Sequence, residues 1–121
     1  MADIRLQRVY GSDVAAPGTR VLVDRVWPRG VKKDDLRLDH WLRELGPSDE
    51  LRKWFGHRPE RWPEFQRRYR EELEEPSRRA LLDQLVELAR RGPLILLFGA
   101  ADEDHNQAVV LRSVLEERLR A

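Results

Sequence analysis

Apolar positions recur along the chain with two periods, and each period predicts a different element. From Ile4 to Tyr10, apolar and polar residues alternate around Ile4 and Leu6, as in a half-buried strand. Val21-Leu22-Val23 and Leu94 to Phe98 are unbroken apolar runs. Such runs suit strands covered on both faces, as in a parallel sheet packed between helices. Pro93 is tolerated before the later run because the first residue of a strand need not donate to the ladder. Gly11 to Thr19, rich in Gly, Ser, Asp and Pro, reads as a loop that permits either a hairpin or a parallel arrangement of the first two strands.

Between the second and third of these strands the period becomes helical. Leu38, Trp41, Leu42 and Leu45 stand at i, i+3, i+4 and i+7, and Gly46-Pro47 supplies a stop. Ser48 is placed to N-cap a short helix carrying Leu51, Trp54 and Phe55, with Asp49 and Glu50 in its first turn and Gly56 closing it. Trp62, Phe65, Tyr69 and Leu73 form the next stripe, which Pro63 allows only if it sits in the first turn. Pro76 opens a further helix at its N1 position, with Leu81, Leu82, Leu85, Val86, Leu88 and Ala89 inward and Gly92 at its end. A last helix is predicted from about Glu103 to Arg118, capped by Asp102, with Ala108, Leu111, Val114 and Leu115 inward. This order predicts an α/β fold in a single compact domain over residues 1–121. Its small, largely parallel sheet is covered by helices, with a helical segment between the second and third strands.

Composition narrows the functional classes. Charged residues make up 37% of the chain yet sum to a formal net charge of +1, so no overall attraction to nucleic acid or an anionic membrane follows. The pairs Arg67-Arg68, Arg78-Arg79 and Arg90-Arg91 are interleaved with Glu and read as solvated helix faces rather than a nucleic-acid track. Cysteine is absent, which removes disulfides, thiolate metal sites and thiol nucleophiles. Three scattered His residues without Cys give no grounds for a metal or a cofactor. No G-x-G-x-x-G, P-loop or G-x-S-x-G pattern occurs. Residues Met1 to Arg5 lack the apolar core of a signal peptide, and Leu94 to Phe98 is far short of the ~20 residues that span a bilayer. A soluble cytoplasmic protein is expected.

Two strand ends carry unusual chemistry, and ligands of open parallel sheets bind beyond the carboxyl ends of strands. The segment from Leu22 to Gly30 is the expected wall of a small polar site. Asp24 follows a buried strand, where an ionised carboxylate costs several kcal/mol unless it is paired or hydrogen-bonded. Arg25 and Arg29 offer planar forks for a carboxylate or phosphate, and Trp27 an apolar wall with one donor. After Leu94 to Phe98 come Asp102, Glu103, Asp104, His105 and Asn106, leading into a helix. His105 is an acid–base candidate because its ordinary pKa lies near 6.5. The acids around it equally suit a capping cluster that would repel an incoming phosphate. His57, after Gly56, is a rim candidate; His40 reads as solvated.

Three strings, VLVDRVWPRGVKKDDLRLDHWLREL, PSDELRKWFGHRPERWPEFQRRYREEL and LILLFGAADEDHNQAVVL, closely resemble the YeaO-like branch of the family called domain of unknown function 488. The resemblance covers nearly the whole chain and implies an α/β fold with no established activity. Asp24, Arg25, Trp27, Pro28, Arg29 and Gly30 match the branch's D-R-x-W-P-R-G signature. Trp54, Phe55, Gly56 and His57 match its W-F-G-H signature, and His105, Asn106, Ala108, Val109 and Leu111 its final one. Gln107 stands where relatives often have His, and Ala101 where they often have Lys. Wider-family versions of the final motif bear Cys, which this chain lacks.

Three readings follow. In the first, a pocket takes a small anionic or nucleotide-like molecule, with Asp24 and His105 as catalytic candidates and Arg25, Trp27, Arg29, His57 and Asn106 as binding candidates. In the second, a non-catalytic regulatory or interaction module meets nucleic acid or a protein through Arg67, Arg68, Arg78 and Arg79. In the third, Asp24, Arg25 and His57 form a structural polar knot.

Overall fold

A computed structural model describes residues 2–10 and 17–121, so most of the loop expected from Gly11 to Thr19 lies outside the described residues. Four strands, β1 (Ile4–Arg8), β2 (Thr19–Leu22), β3 (His40–Trp41) and β4 (Leu94–Phe98), form a sheet of order β1-β4-β2-β3. Every pairing in it is parallel. β1 and β2 flank β4 and do not pair with each other, which excludes a hairpin between them. The unbroken run Leu94 to Phe98 is the inner strand, and all five residues are buried.

Five α-helices accompany these strands among the described residues: α1 (Lys33–Leu36), α2 (Asp49–Phe55), α3 (Trp62–Glu72), α4 (Pro76–Arg91) and α5 (Gln107–Arg120). The stripes of α2, α3 and α4 are buried as their spacing predicts, through Leu51 and Phe55, Phe65 and Tyr69, and Leu82, Leu85 and Ala89. Ser48 caps α2 by accepting from the Leu51 N–H at 3.2 Å. The larger core joins these stripes to Val21, Val23, Leu94, Leu96, Phe98 and the inward face of α5. A smaller cluster of Leu22, Leu36, Ile95 and Leu97 lies apart from it, packed by Val9, Trp27, Val31, Leu38 and Trp41.

Two expected elements differ. The predicted helix over Leu38 to Leu45 is instead the short strand β3 followed by a 3-10 turn, Arg43–Leu45. Its apolar residues serve two clusters, Leu38 and Trp41 the smaller and Leu42 and Leu45 the larger. One helix has a single apolar stripe and cannot divide it this way. β3 also interrupts the expected helical segment: only the single turn α1 lies between β2 and β3, and α2, α3 and α4 lie between β3 and β4. The last helix starts at Gln107 rather than near Glu103, and Asn106, not Asp102, is its N-cap. No helix among the described residues is long and apolar enough to cross a membrane.

Candidate functional site at the strand ends

The register places Leu22 of β2 opposite Leu97 of β4, and the Val23 N–H extends the ladder to the Leu97 carbonyl at 3.1 Å. Asp24 therefore emerges beside Gly99. Its Oδ2 accepts the Gly99 N–H at 2.8 Å, and its Oδ1 accepts from the Gln107 side-chain amide. A Cβ on Gly99 would stand 2.8 Å from that same Oδ2, so any larger residue there would have to displace the carboxyl. Burial pushes the Asp24 carboxyl up to about 6, against the lowering pull of these two hydrogen bonds. Among the described residues no cation forms an ion pair or hydrogen bond with it.

Arg25, next in the chain, does not answer that charge. Its guanidinium donates to the carbonyls of Pro47 at 2.9 Å and Gly46 at 3.0 Å, tying the segment before α2 to the end of β2. Trp27 donates its indole N–H to the Val31 carbonyl at 2.7 Å and meets Trp41 edge-on, centroids 5.2 Å apart. Trp41 in turn donates to the Asp24 carbonyl at 2.8 Å. Arg29 is exposed, and its backbone carbonyl accepts from the Tyr10 hydroxyl at 2.7 Å. Its guanidinium makes no hydrogen bond or ion pair with any described residue. Gly30 takes φ +78°, a turn conformation that suits glycine.

The segment after β4 is organised by side-chain caps. Asp102 Oδ1 accepts the N–H groups of Asp104 at 2.9 Å and His105 at 3.1 Å, and its Oδ2 lies 2.9 Å from His105 Nδ1. The hydrogen bond from the His105 imidazole, above all, and these backbone donors hold the partly exposed Asp102 carboxyl below its usual range. The His105 ring also sits edge-on against Trp62 at 5.2 Å. Asn106 is 3% exposed and fully engaged: Oδ1 accepts from the Ala108 and Val109 N–H groups, and Nδ2 donates to the Asp102 carbonyl. His57, exposed beyond the end of α2, holds a left-handed φ of +58° directly after Gly56.

All seven site residues expected from sequence line one cleft of about 500 Å³. They do so unequally. Arg25 and Asn106 spend their polar groups on the protein's own backbone, and Asp24 and His105 share the cleft without hydrogen-bonding each other. The cleft also contains residues the sequence did not single out for it: Tyr10, Arg52, Phe55, Phe65 and Gln107. Phe65 reads as core from its spacing, Phe55 as core and as part of the W-F-G-H signature, and nothing in the spacing of Gln107 marks it as the partner of Asp24. Asp24 is the only acid among the described lining residues, against Arg25, Arg29 and Arg52. No group of three or more His, Asp or Glu is placed to hold a metal ion among the described residues.

The arginines of the second reading are paired along the helices. Arg67 pairs with Glu64 and Glu71, Arg68 with Glu64, Arg78 with Glu72 and Arg79 with Glu74.

The family model described as "Inactive DUF488-N3 subclade" matches residues 3–121. An uncharacterized protein of Mycobacterium tuberculosis (strain ATCC 25618 / H37Rv) is 40% identical over 115 residues, 95% of each chain. The uncharacterized protein YeaO of Escherichia coli (strain K12) is 40% identical over 109 residues, 90% of this chain and 93% of its own. No solved structure matches the chain at a significant level.

Proposed function

The chain belongs to the family described as the inactive DUF488-N3 subclade, and from that premise we propose that it is a single-domain cytoplasmic binding protein whose cleft holds a small anionic or nucleotide-like molecule without turning it over. The observation that carries the reading is the meeting of both strand-end segments around one cleft whose exposed margin bears the Arg29 guanidinium, which engages no described residue. A volume near 500 Å³ falls within the range of small-molecule sites, roughly 300–1,000 Å³. Trp27 supplies apolar wall, and Arg29, Arg52 and His57 supply donors for an anion.

Binding without turnover is favoured by the family's description and by what the candidate groups already do. Asp24 already accepts from Gly99 and Gln107 and does not meet His105, whose Nδ1 lies against Asp102. A catalytic reading keeps one supporting feature, since an imidazole oriented by a carboxylate is the geometry of a general base. The nucleic-acid reading loses its main support to the Arg–Glu pairs along α3 and α4.

Thermal unfolding with inorganic phosphate and a series of nucleoside monophosphates tests the proposal. A ligand at 100 times its Kd stabilises the folded state by about 2.7 kcal/mol. The expected result is a saturable rise in Tm that Arg29→Ala with His57→Ala abolishes, and recovery of the ligand unchanged. An equal rise in the double variant, or no rise with any of these compounds, would reject the reading. Conversion of the bound ligand would restore the catalytic one.

A further inference from the structure

Depth separates the polar groups of the cleft into two sets. Asp24 is largely buried and held by donors from β4's end and α5. Arg29 and His57 are exposed. A carboxylate's two oxygens offer about four acceptor positions, and the protein fills two of them, one by Gly99 and one by Gln107. The adjacent cation, Arg25, is turned away onto Gly46 and Pro47. A mostly buried carboxylate is therefore left with acceptor capacity and no positive partner among the described residues, a costly arrangement when nothing else supplies donors. The Gln107 amide beside it has a second N–H and a carbonyl oxygen to offer. A wholly anionic molecule suits the margin and is repelled at the floor.

We propose that the cleft is bipolar: it takes a ligand whose N–H donor edge meets Asp24 and Gln107 at the floor while its phosphate meets Arg29 and His57 at the margin. This rests on the anion-binding reading above and adds the chemistry of the other end. A guanine-type edge, with two adjacent N–H donors beside a carbonyl oxygen, complements a carboxylate flanked by an amide. The carboxylate takes both N–H groups and the second Gln107 N–H reaches the carbonyl. Trp27, partly exposed on the cleft wall, provides apolar surface for such a ring.

Calorimetric titration with guanosine monophosphate, inosine monophosphate, guanosine and inorganic phosphate separates the two ends. Inosine monophosphate lacks one donor of the edge, and guanosine lacks the phosphate. Guanosine monophosphate is expected to bind about tenfold more tightly than inosine monophosphate, the order of one hydrogen bond to a charged group. That preference should fall to about one in Asp24→Asn and shrink in Gln107→Ala. In Arg29→Ala both nucleotides should weaken while their ratio is kept. Phosphate binding that depends on Arg29, with no preference between the nucleotides, would overturn the bipolar assignment and leave the anion site standing. A preference unchanged in both Asp24→Asn and Gln107→Ala would also overturn it. Absence of binding by all four compounds would overturn both.

Discussion

Two aspartates follow the two inner strand ends of the sheet, and their surroundings move their carboxyls in opposite directions. Asp24, after β2, is largely but not wholly buried, pairs with no cation among the described residues and is pushed up to about 6. Asp102, after β4, is also partly exposed, but it pairs with His105, collects two backbone N–H groups and is held below its usual range. Asp102 thus does what a carboxylate ordinarily does for a fold, satisfying orphan donors ahead of a helix. Asp24 imposes a penalty that an uncharged side chain of the same shape would avoid. A strongly perturbed group in a cleft is a functional-site candidate for this reason. Both segments belong to signatures of the resemblance, yet only one bears the mark of a group kept against stability.

Gly99→Ala strikes the contact that defines Asp24's place and should have the largest effect. The added methyl meets Oδ2 at 2.8 Å, so the carboxyl must move and the Gly99 N–H loses its acceptor. A destabilisation of about 3 kcal/mol is expected in denaturant unfolding; a neutral result would mean that the Asp24–Gly99 contact is not structural. Asn106→Ala removes a buried cap at the other strand end and should cost about 1–2 kcal/mol. An unchanged denaturation midpoint would argue that α5 is held by packing alone.

Asp102→Asn should be mildly destabilising at neutral pH. Because the folded carboxyl titrates lower than the unfolded one, its contribution is present above the unfolded pKa and fades as pH falls through the folded value. The difference from wild type should accordingly vanish in acid and shrink with added salt. A difference that persists at low pH would assign the effect to lost packing. Arg29→Ala should be the smallest change, within about 0.5 kcal/mol, because an exposed guanidinium without a protein partner stabilises little. A larger loss would place Arg29 in the scaffold rather than at a binding margin.

The sequence shows β1, β2 and β4 through their periods, and α2, α3 and α4 through stripes bounded by Ser48, Pro63, Pro76 and Gly92. It misleads at Leu38 to Leu45, where helical spacing arises from an extended strand and a turn that serve two separate cores. At the start of α5, Asp102 and Asn106 are both good cap residues; only the fold shows Asp102 closing a turn four residues before Asn106 caps the helix. The site follows the same rule. Asp24, Arg29 and His57 are visible because charged residues beside a buried strand or a helix-ending glycine need an explanation. Gln107 is not, because its role depends on β2 and β4 being neighbours, a contact across 83 residues. Sequence offers Arg25 either a ligand or a place in a polar knot, and does not show its actual partners because backbone carbonyls leave no trace in residue identity.

Unfolding wild type and Asp24→Asn from pH 4 to pH 8 measures whether the Asp24 carboxylate is kept at a cost to the fold. The folded pKa lies above the unfolded one, so the native state retains the proton between 3.8 and about 6, and wild-type stability falls as pH rises through that window. Asp24→Asn should match wild type near the acid end, then become the more stable protein, by at most about 3 kcal/mol above pH 6. A variant less stable than wild type at pH 8, or a difference that does not change with pH, would contradict the account and return Asp24 to a structural polar knot.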